Sequence, residues 1–223
     1  MKDSFDIAVF NGDGIGPEIT RPTVRILARL AEAGAYGLRF RDVPAGAAHY
    51  AQTGESLPAA SMDAARAADA ILLSAMGLPS VRYPDGTEIS PQIELRKALT
   101  LFAGVRPVRI FPGQKTPLNL PEGKEVDFVL IRESTEGLFY TQGRGEVSEN
   151  EARETLLITR DISEKLFRFA FGLARERKDA RRGSGRVTCV DKANVFRAFA
   201  FFRALFDAEA AKHPDLAADH AYV

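Results

Sequence analysis

The sequence predicts an α/β protein whose first part carries a parallel sheet. Two observations predict it. Short apolar runs alternate with amphipathic stretches up to about residue 103, and the turn Asn11-Gly-Asp-Gly-Ile-Gly-Pro17 joins the first run to the first amphipathic stretch. A chain of 223 residues, 45% hydrophobic and 27% charged, has the apolar content for a sizeable core.

Phe5 to Phe10 reads as a strand. Ile19, Thr23, Ile26, Leu27 and Leu30 then recur at helical spacing after Pro17, a residue suited to a first turn. Gly37 to Val43 reads as a second strand, Ala59 to Asp69 as a helix, Ala70 to Ala75 as a buried strand and Pro91 to Leu101 as a helix. Beyond residue 103 the texture changes, with strands expected at Gly104 to Ile110, Val126 to Arg132 and Glu154 to Thr159. Two domains are therefore expected, 1–103 and 104–223. Asp161 and Glu164 have capping-box spacing ahead of a helix in which Ile162, Leu166, Phe169 and Leu173 share a face. The basic stretch Arg175 to Arg186 reads as a solvated helix end and turn. Arg186 to Val190 is expected as a strand, and Leu216 to Val223 as the start of a further element. Between them Val195 to Ala211 is expected as a helix whose Phe196, Phe199, Phe202 and Phe206 form a core face or subunit interface.

Thirty basic residues balance thirty acidic ones, so no global charge draws the chain to nucleic acid or to an anionic membrane. No apolar run approaches the ~20 residues of a membrane span and the first ten residues lack a secretory h-region, so a cytoplasmic protein is expected. The single cysteine, Cys189, excludes an internal disulfide framework, and His49, His213 and His220 lack ligand spacing. A metal, if bound, would need oxygen ligands.

The glycine loop is a poor dinucleotide fingerprint. Its spacing is GxGxG, and Asp13 and Glu18 place negative charge where a pyrophosphate would sit on the helix N-terminus. A structural turn and a ligand-facing loop of another kind both remain open. Arg96, Arg106 and Arg132 stand in apolar contexts where a charge needs a partner, so either they form separate ion pairs or their forks bind a substrate with several carboxylates. Lys192, at a strand-to-helix junction, reads as a solvated lysine or as a general base with a lowered pKa.

Four motifs in order, Asn11-Gly-Asp-Gly-Ile-Gly-Pro-Glu18, Leu95-Arg-Lys97 through Val105-Arg-Pro107, Ile131-Arg-Glu-Ser-Thr-Glu-Gly137 and Val190-Asp-Lys-Ala-Asn194, resemble the β-decarboxylating dehydrogenases acting on isocitrate, isopropylmalate, homoisocitrate and tartrate or D-malate. The resemblance implies an isopropylmalate dehydrogenase-like two-domain fold, distinct from the classical Rossmann fold, with the cofactor-binding part in the first domain and the dimer surface in the second. It implies oxidation and decarboxylation of a malate-like 2-hydroxy di- or tricarboxylate, with NAD or NADP and with Mg2+ or Mn2+, in a homodimer with shared active sites.

Under this resemblance Arg96, Arg106 and Arg132 bind substrate carboxylates, and Ser90 and Gln92 lie in the substrate-selecting region. Lys192 relays the hydroxyl proton, reaching the neighbouring subunit's site, while Asn194, Glu88 and Ile15 meet the cofactor. Where the family has its acid tyrosine this chain has Phe139, with Tyr140 next to it. An extended backbone would point the two to opposite faces, so Tyr140 replaces the acid only if a bulge turns it inward. Family members are longer, and their metal aspartates are expected after Val223, which makes the chain read as C-terminally truncated; otherwise Asp127, Asp191 and Asp219 are the first places to seek a metal. Phe139 also fits a rival, a non-catalytic subunit that keeps the carboxylate pocket and dimer surface. A simple binding module for a di- or tricarboxylate is a third reading.

Overall fold

A computed structural model describes residues 3–111, 113–120 and 126–223. The chain divides into two compact units, Met1–Leu99 and Thr100–Val223.

In the first unit β1 (Ser4–Phe10) leads through the glycine loop into α1 (Gly16–Ala33), then β2 (Gly37–Asp42), α2 (Ala47–Thr53), α3 (Ala59–Ala67), β3 (Ala70–Leu73) and α4 (Pro91–Ala98). The strands form a parallel sheet in the order β2-β1-β3. Ser4 pairs with Gly37 and Ile7 with Ala70. The alternation of strand and helix forces this, because parallel neighbours need crossovers that helices supply. Ala8 and Phe10 of β1 pack with Val43, Ala45, Ala65 and Leu95 as the core.

Three details differ from expectation. β3 is a half-exposed edge strand rather than a buried one. On α1 the side that packs inward is small, with Gly16, Thr20 and Ala31 buried, whereas Ile19 (44% exposed), Ile26 and Leu30 face outward. Small residues let helix and sheet backbones approach, and that outweighs the pull of apolar periodicity here. α2 has no counterpart among the expected elements, because the group that caps it, Asp13, comes from a distant loop.

The second unit contains β4 (Ala103–Arg109) antiparallel to β5 (Asp127–Glu133), a 3-10 turn at Leu138–Thr141, the short pair β6 (Glu146–Val147) and β7 (Ala152–Arg153), then α5 (Arg160–Asp179), β8 (Arg186–Asp191), α6 (Arg197–Ala210) and β9 (Ala217–Tyr222). β8 and β9 are parallel, with Arg186 opposite Ala217. The expected strand at Glu154 to Thr159 is absent; only Leu157 makes a bridge there, to Gly137. The capping box is absent too. Thr159 is the N-cap of α5, its Oγ1 accepting from the Ile162 N–H, while Asp161 pairs with Lys165 and Glu164 with Arg160.

The core joins α5, α6 and β8. Phe167 lies 4.6 Å from Phe202 and 5.4 Å from Phe206, and Phe171 stacks on His213 at 4.9 Å. Phe206 and Phe171 are fully buried, each contributing roughly 1.5–3 kcal/mol of apolar transfer. Phe169 is exposed, which corrects the face assigned to α5: Phe167, Ala170 and Phe171 are buried beside the expected Ile162 and Leu166. On α6 Phe202 and Phe206 pack in the core, while Phe196, the N-cap, is exposed. The basic stretch is less solvated than expected, since Arg175 holds Asp215 and Arg177 holds Asp127.

Candidate functional site

The glycine loop is built around Asp13, a carboxylate only 4% exposed. Its Oδ2 accepts the N–H groups of Ala47 and Ala48 at the start of α2, and its Oδ1 accepts that of Gly77. The charge of Asp13 therefore serves the N-terminus of α2 and not that of α1, which corrects the sequence reading for this residue, while Glu18 lies in the first turn of α1 as expected. The Asp13 N–H is taken by the Ala75 carbonyl and the Gly16 N–H by the Asp13 carbonyl. Gly12 has φ +70°, and a Cβ there would lie 1.9 Å from the Ala75 oxygen, so only glycine fits. With these amides spent internally, the loop does not fit a phosphate cradle. Ile15, at the N-cap of α1, is 63% exposed beside it.

Ser90 is the N-cap of α4 without capping it through its side chain, and Arg96 lies half-buried in the last turn of that helix. Gln92 carries a buried Oε1 with no hydrogen-bond partner among the described residues. Glu88 is exposed and pairs with Arg82 at 3.2 Å.

In the second unit Arg106 stands opposite Leu130 and Arg132 opposite Gly104. The two arginines thus share one face of the ribbon as diagonal neighbours, a relation that places Cα atoms roughly 7–8 Å apart. Gly104 contributes no side chain between them. Both are exposed, so the expectation that they sit in a buried strand is corrected: β4 and β5 form a two-stranded ribbon with one open face. Nor do Arg96, Arg106 and Arg132 form ion pairs with any described residue, unlike Arg39, Arg175, Arg177, Arg186 and Arg203, each held by an aspartate. The rest of the Ile131–Gly137 motif is structural. Glu133 Oε1 accepts from Thr135 Oγ1 at 2.6 Å, and Glu136 holds the N-cap Thr159 at 2.6 and 2.8 Å.

Phe139 lies under the Arg132 guanidinium at 5.8 Å, whereas Tyr140, 41% exposed, stacks under Arg144 at 4.9 Å. The backbone here is a 3-10 turn, not the extended chain considered from the sequence, and it sends the two rings to different arginines.

Lys192 and Asn194 project from the turn between β8 and α6, Lys192 half-buried and Asn194 exposed. That turn is fixed by Asp191, whose side chain is fully buried. Its oxygens accept a bidentate fork from Arg203 at 2.7 and 2.9 Å and the Ala193 N–H at 2.7 Å. Burial raises the Asp191 carboxyl pKa, but the Arg203 and Ala193 bonds outweigh it and hold the group below the ordinary carboxylate range. The sequence reading missed Asp191 and Arg203 as positioning residues; an acid at a strand end with an arginine 12 residues on was the available signal.

Asp191, Asp127 and Asp219, the first places to seek a metal inside the chain, are occupied by Arg203, Arg177 and Arg186. Among the described residues no group of three His, Cys, Asp or Glu side chains is placed to hold a metal ion. Cys189 is buried, and burial together with the neighbouring Asp191 pushes its thiol pKa up to about 12. It is therefore expected to resist a thiol reagent at pH 8 in the folded chain and to react at once in denaturant. Rapid labelling of the native chain, measured by mass shift, would contradict this burial.

The isocitrate/isopropylmalate dehydrogenase family model matches residues 6–223. The chain belongs to this family. The 3-isopropylmalate dehydrogenase of Aquifex aeolicus is 32% identical over 98% of the chain and 60% of its own length. The 3-isopropylmalate/3-methylmalate dehydrogenase of Methanocaldococcus jannaschii is 35% identical over 97% of the chain and 60% of its own. The crystal structure of isocitrate dehydrogenase from Methylococcus capsulatus superposes with a TM-score of 0.78 at 30% identity, covering 98% of the chain and 60% of that structure. The isopropylmalate dehydrogenase-like α/β fold is thereby shown, and the chain spans about 60% of the length of the relatives it matches. No helix among the described residues of this family member is long and apolar enough to cross a membrane.

Proposed function

We propose that the chain carries the carboxylate-binding arginines and the proton-relay lysine of a cytoplasmic, homodimeric dehydrogenase acting on a malate-like 2-hydroxy di- or tricarboxylate. The observation that carries this reading is the pair Arg106 and Arg132, two like charges on one open face with no acidic partner among the described residues. Like charges set side by side repel, and a substrate carboxylate spanning both forks relieves that repulsion. In the first unit Arg96 is likewise without an ion pair among the described residues, and Gln92 offers a buried polar atom to a substrate hydroxyl. Lys192 holds or moves the hydroxyl proton, on a turn that Asp191 keeps rigid.

The nicotinamide, when bound, is the two-electron acceptor of such an oxidation. Ile15, Glu88 and Asn194 are the residues proposed to meet it. The exposed Glu88–Arg82 pair is cheap to give up, since such pairs contribute little. Mg2+ or Mn2+ is proposed from family membership alone, since no group of three carboxylate, histidine or cysteine side chains among the described residues is placed to hold it.

The test is Arg106→Lys in a chain extended to the relatives' length. It is expected to lower kcat/KM at least tenfold with isopropylmalate or isocitrate, about 1.4 kcal/mol of transition-state stabilisation, because an ammonium cannot copy a bidentate fork. An unchanged kcat/KM would remove Arg106 from the substrate site. Phe139 favours a second reading, a subunit that binds the dicarboxylate without turnover. Calorimetric binding of malate-like acids with no NAD(P)H formed by the extended chain would select it.

A further inference from the structure

The turn between α5 and β8 carries Arg181-Arg-Gly-Ser-Gly185, a part of the basic stretch that the proposed dehydrogenase chemistry leaves unused. Three serines or threonines of the chain have an arginine three residues before them: Thr135, Ser163 and Ser184. The first two are committed. Thr135 Oγ1 bonds Glu133 Oε1 at 2.6 Å, and Ser163, 2% exposed, donates to the Thr159 carbonyl at 2.7 Å. Ser184 is exposed, has a second arginine before it in Arg182 and, like Gly183, makes no hydrogen bond through backbone or side chain among the described residues.

The local backbone presents this serine. α5 ends at Asp179, and Arg181 takes a left-handed φ of +55°, where glycine is the usual residue, which turns the chain out of the helix. The Arg181 N–H bonds the Lys178 carbonyl at 2.9 Å and the Arg182 N–H the Arg177 carbonyl at 2.7 Å, so both arginines start from a fixed backbone. Neither guanidinium enters an ion pair among the described residues, whereas those of Arg175, Arg177 and Arg186 on either side of them in the sequence do. Gly183 and Ser184, without bonds of their own, open locally at little cost and can extend into a catalytic groove.

We propose that Ser184 is a phosphorylation site, read by a serine/threonine protein kinase through Arg181 and Arg182, and that the phosphate acts on the tie between Arg177 and Asp127. Two guanidinium forks just ahead of an exposed hydroxyl suit acidic subsites on such an enzyme, because each fork pairs with a carboxylate. In the transfer Ser184 Oγ bonds the γ-phosphorus of ATP as the bond from that phosphorus to the bridging β-oxygen breaks; ADP leaves, and the hydroxyl proton passes to a carboxylate of the kinase. The turn gains a charge of roughly −2. Arg177 lies beside it: a Cβ on Gly183 would stand 3.6 Å from Arg177 Nε, and Arg177 Nη2 bonds the Arg182 carbonyl at 3.0 Å and the Asp127 carboxylate at 2.6 Å. That last bond holds the Asp127 carboxyl below its ordinary range. A phosphate on Ser184 draws on Arg177 and repels Asp127, and both effects loosen the joint between the end of α5 and the start of β5.

The experiment incubates the native 223-residue chain with ATP and the catalytic subunit of cyclic-AMP-dependent protein kinase, the probe for a kinase that reads arginines, and locates the phosphoryl group by mass spectrometry. Ser184 is expected to be the main acceptor. Ser184→Ala is expected to abolish labelling of the native chain, and Arg181→Ala combined with Arg182→Ala to slow it at least tenfold. The consequence is read by NMR titration of the side-chain carboxyls, in which Asp127 is expected to titrate at higher pH in the phosphorylated chain than in the unmodified one. Four outcomes would overturn the proposal: the native chain is not labelled, or is labelled only after denaturation; the label lies on Thr135 or Ser163; the double arginine variant is labelled as fast as the parent; or Asp127 titrates alike in both forms.

Discussion

Replacing Asp191 by alanine is expected to destabilise the second unit by about 3–5 kcal/mol, the range found when one partner of a buried ion pair is removed and the other is left uncompensated. The side chain of Asp191 is fully buried and that of Arg203 is 18% exposed, so water cannot restore the lost bonds. The Ala193 N–H would lose its acceptor as well. Replacing both partners by apolar residues of similar size, Asp191→Leu with Arg203→Met, is expected to recover much of the loss, because no charge then remains buried. Urea unfolding of the single and double variants measures both effects. A single-variant loss under about 1 kcal/mol would mean that the pair does not anchor the Lys192 turn. The pH dependence has a definite sign. The folded pKa of Asp191 is depressed, so the stabilisation is fully present above the unfolded value near 3.9 and is lost as pH falls through the lower folded value.

Asp13→Ala is expected to cost about 3–4 kcal/mol in the first unit. A lost helix cap is worth ~1–2 kcal/mol, and each buried N–H left without an acceptor adds about 1–3, part of which relaxation recovers. Three N–H groups lose their acceptor together, those of Ala47, Ala48 and Gly77. Asparagine keeps one acceptor oxygen but points an NH₂ at the remaining donors, so Asp13→Asn is expected to rescue only partly. Thermal unfolding and amide exchange at Ala47, Ala48 and Gly77 check this. Unaltered exchange at those three positions in Asp13→Ala would refute the anchoring role.

How much was legible in the sequence depended on how local the deciding interaction is. The β1-loop-α1 unit was readable because Pro17, the glycines and the apolar run lie within a few residues of each other. Which side of α1 packs inward was not, since Ile19, Ile26 and Leu30 have the right period but the sheet takes the small side. The arginines were singled out by residue type. Their premise of burial failed, and the shared face of Arg106 and Arg132 follows from a register that pairing across a long connection establishes. Asp13 and Asp191 were visible as residues, yet their partners lie 34 and 12 positions away, beyond any helical or strand period. The strand expected at Glu154 to Thr159 rested on apolar content alone, and the N-cap bond of Thr159 and its hold by Glu136 took that segment instead.

The separation of the paired strands also orders events in time. Pairing β3 with β1 joins Ile7 to Ala70, a loop about twice as long as that closed when β9 meets β8 at Ala217 and Arg186. Each doubling adds about 0.6 kcal/mol of closure entropy, so the β8-α6-β9 unit is the cheaper of the two to nucleate. A chain emerging from the ribosome makes β1 long before β3 exists to cover it. The edge of β1 that β3 will take must then wait unpaired through the synthesis of α1, β2, α2 and α3, while the turn that presents Lys192, made late, closes almost as soon as its strands are complete.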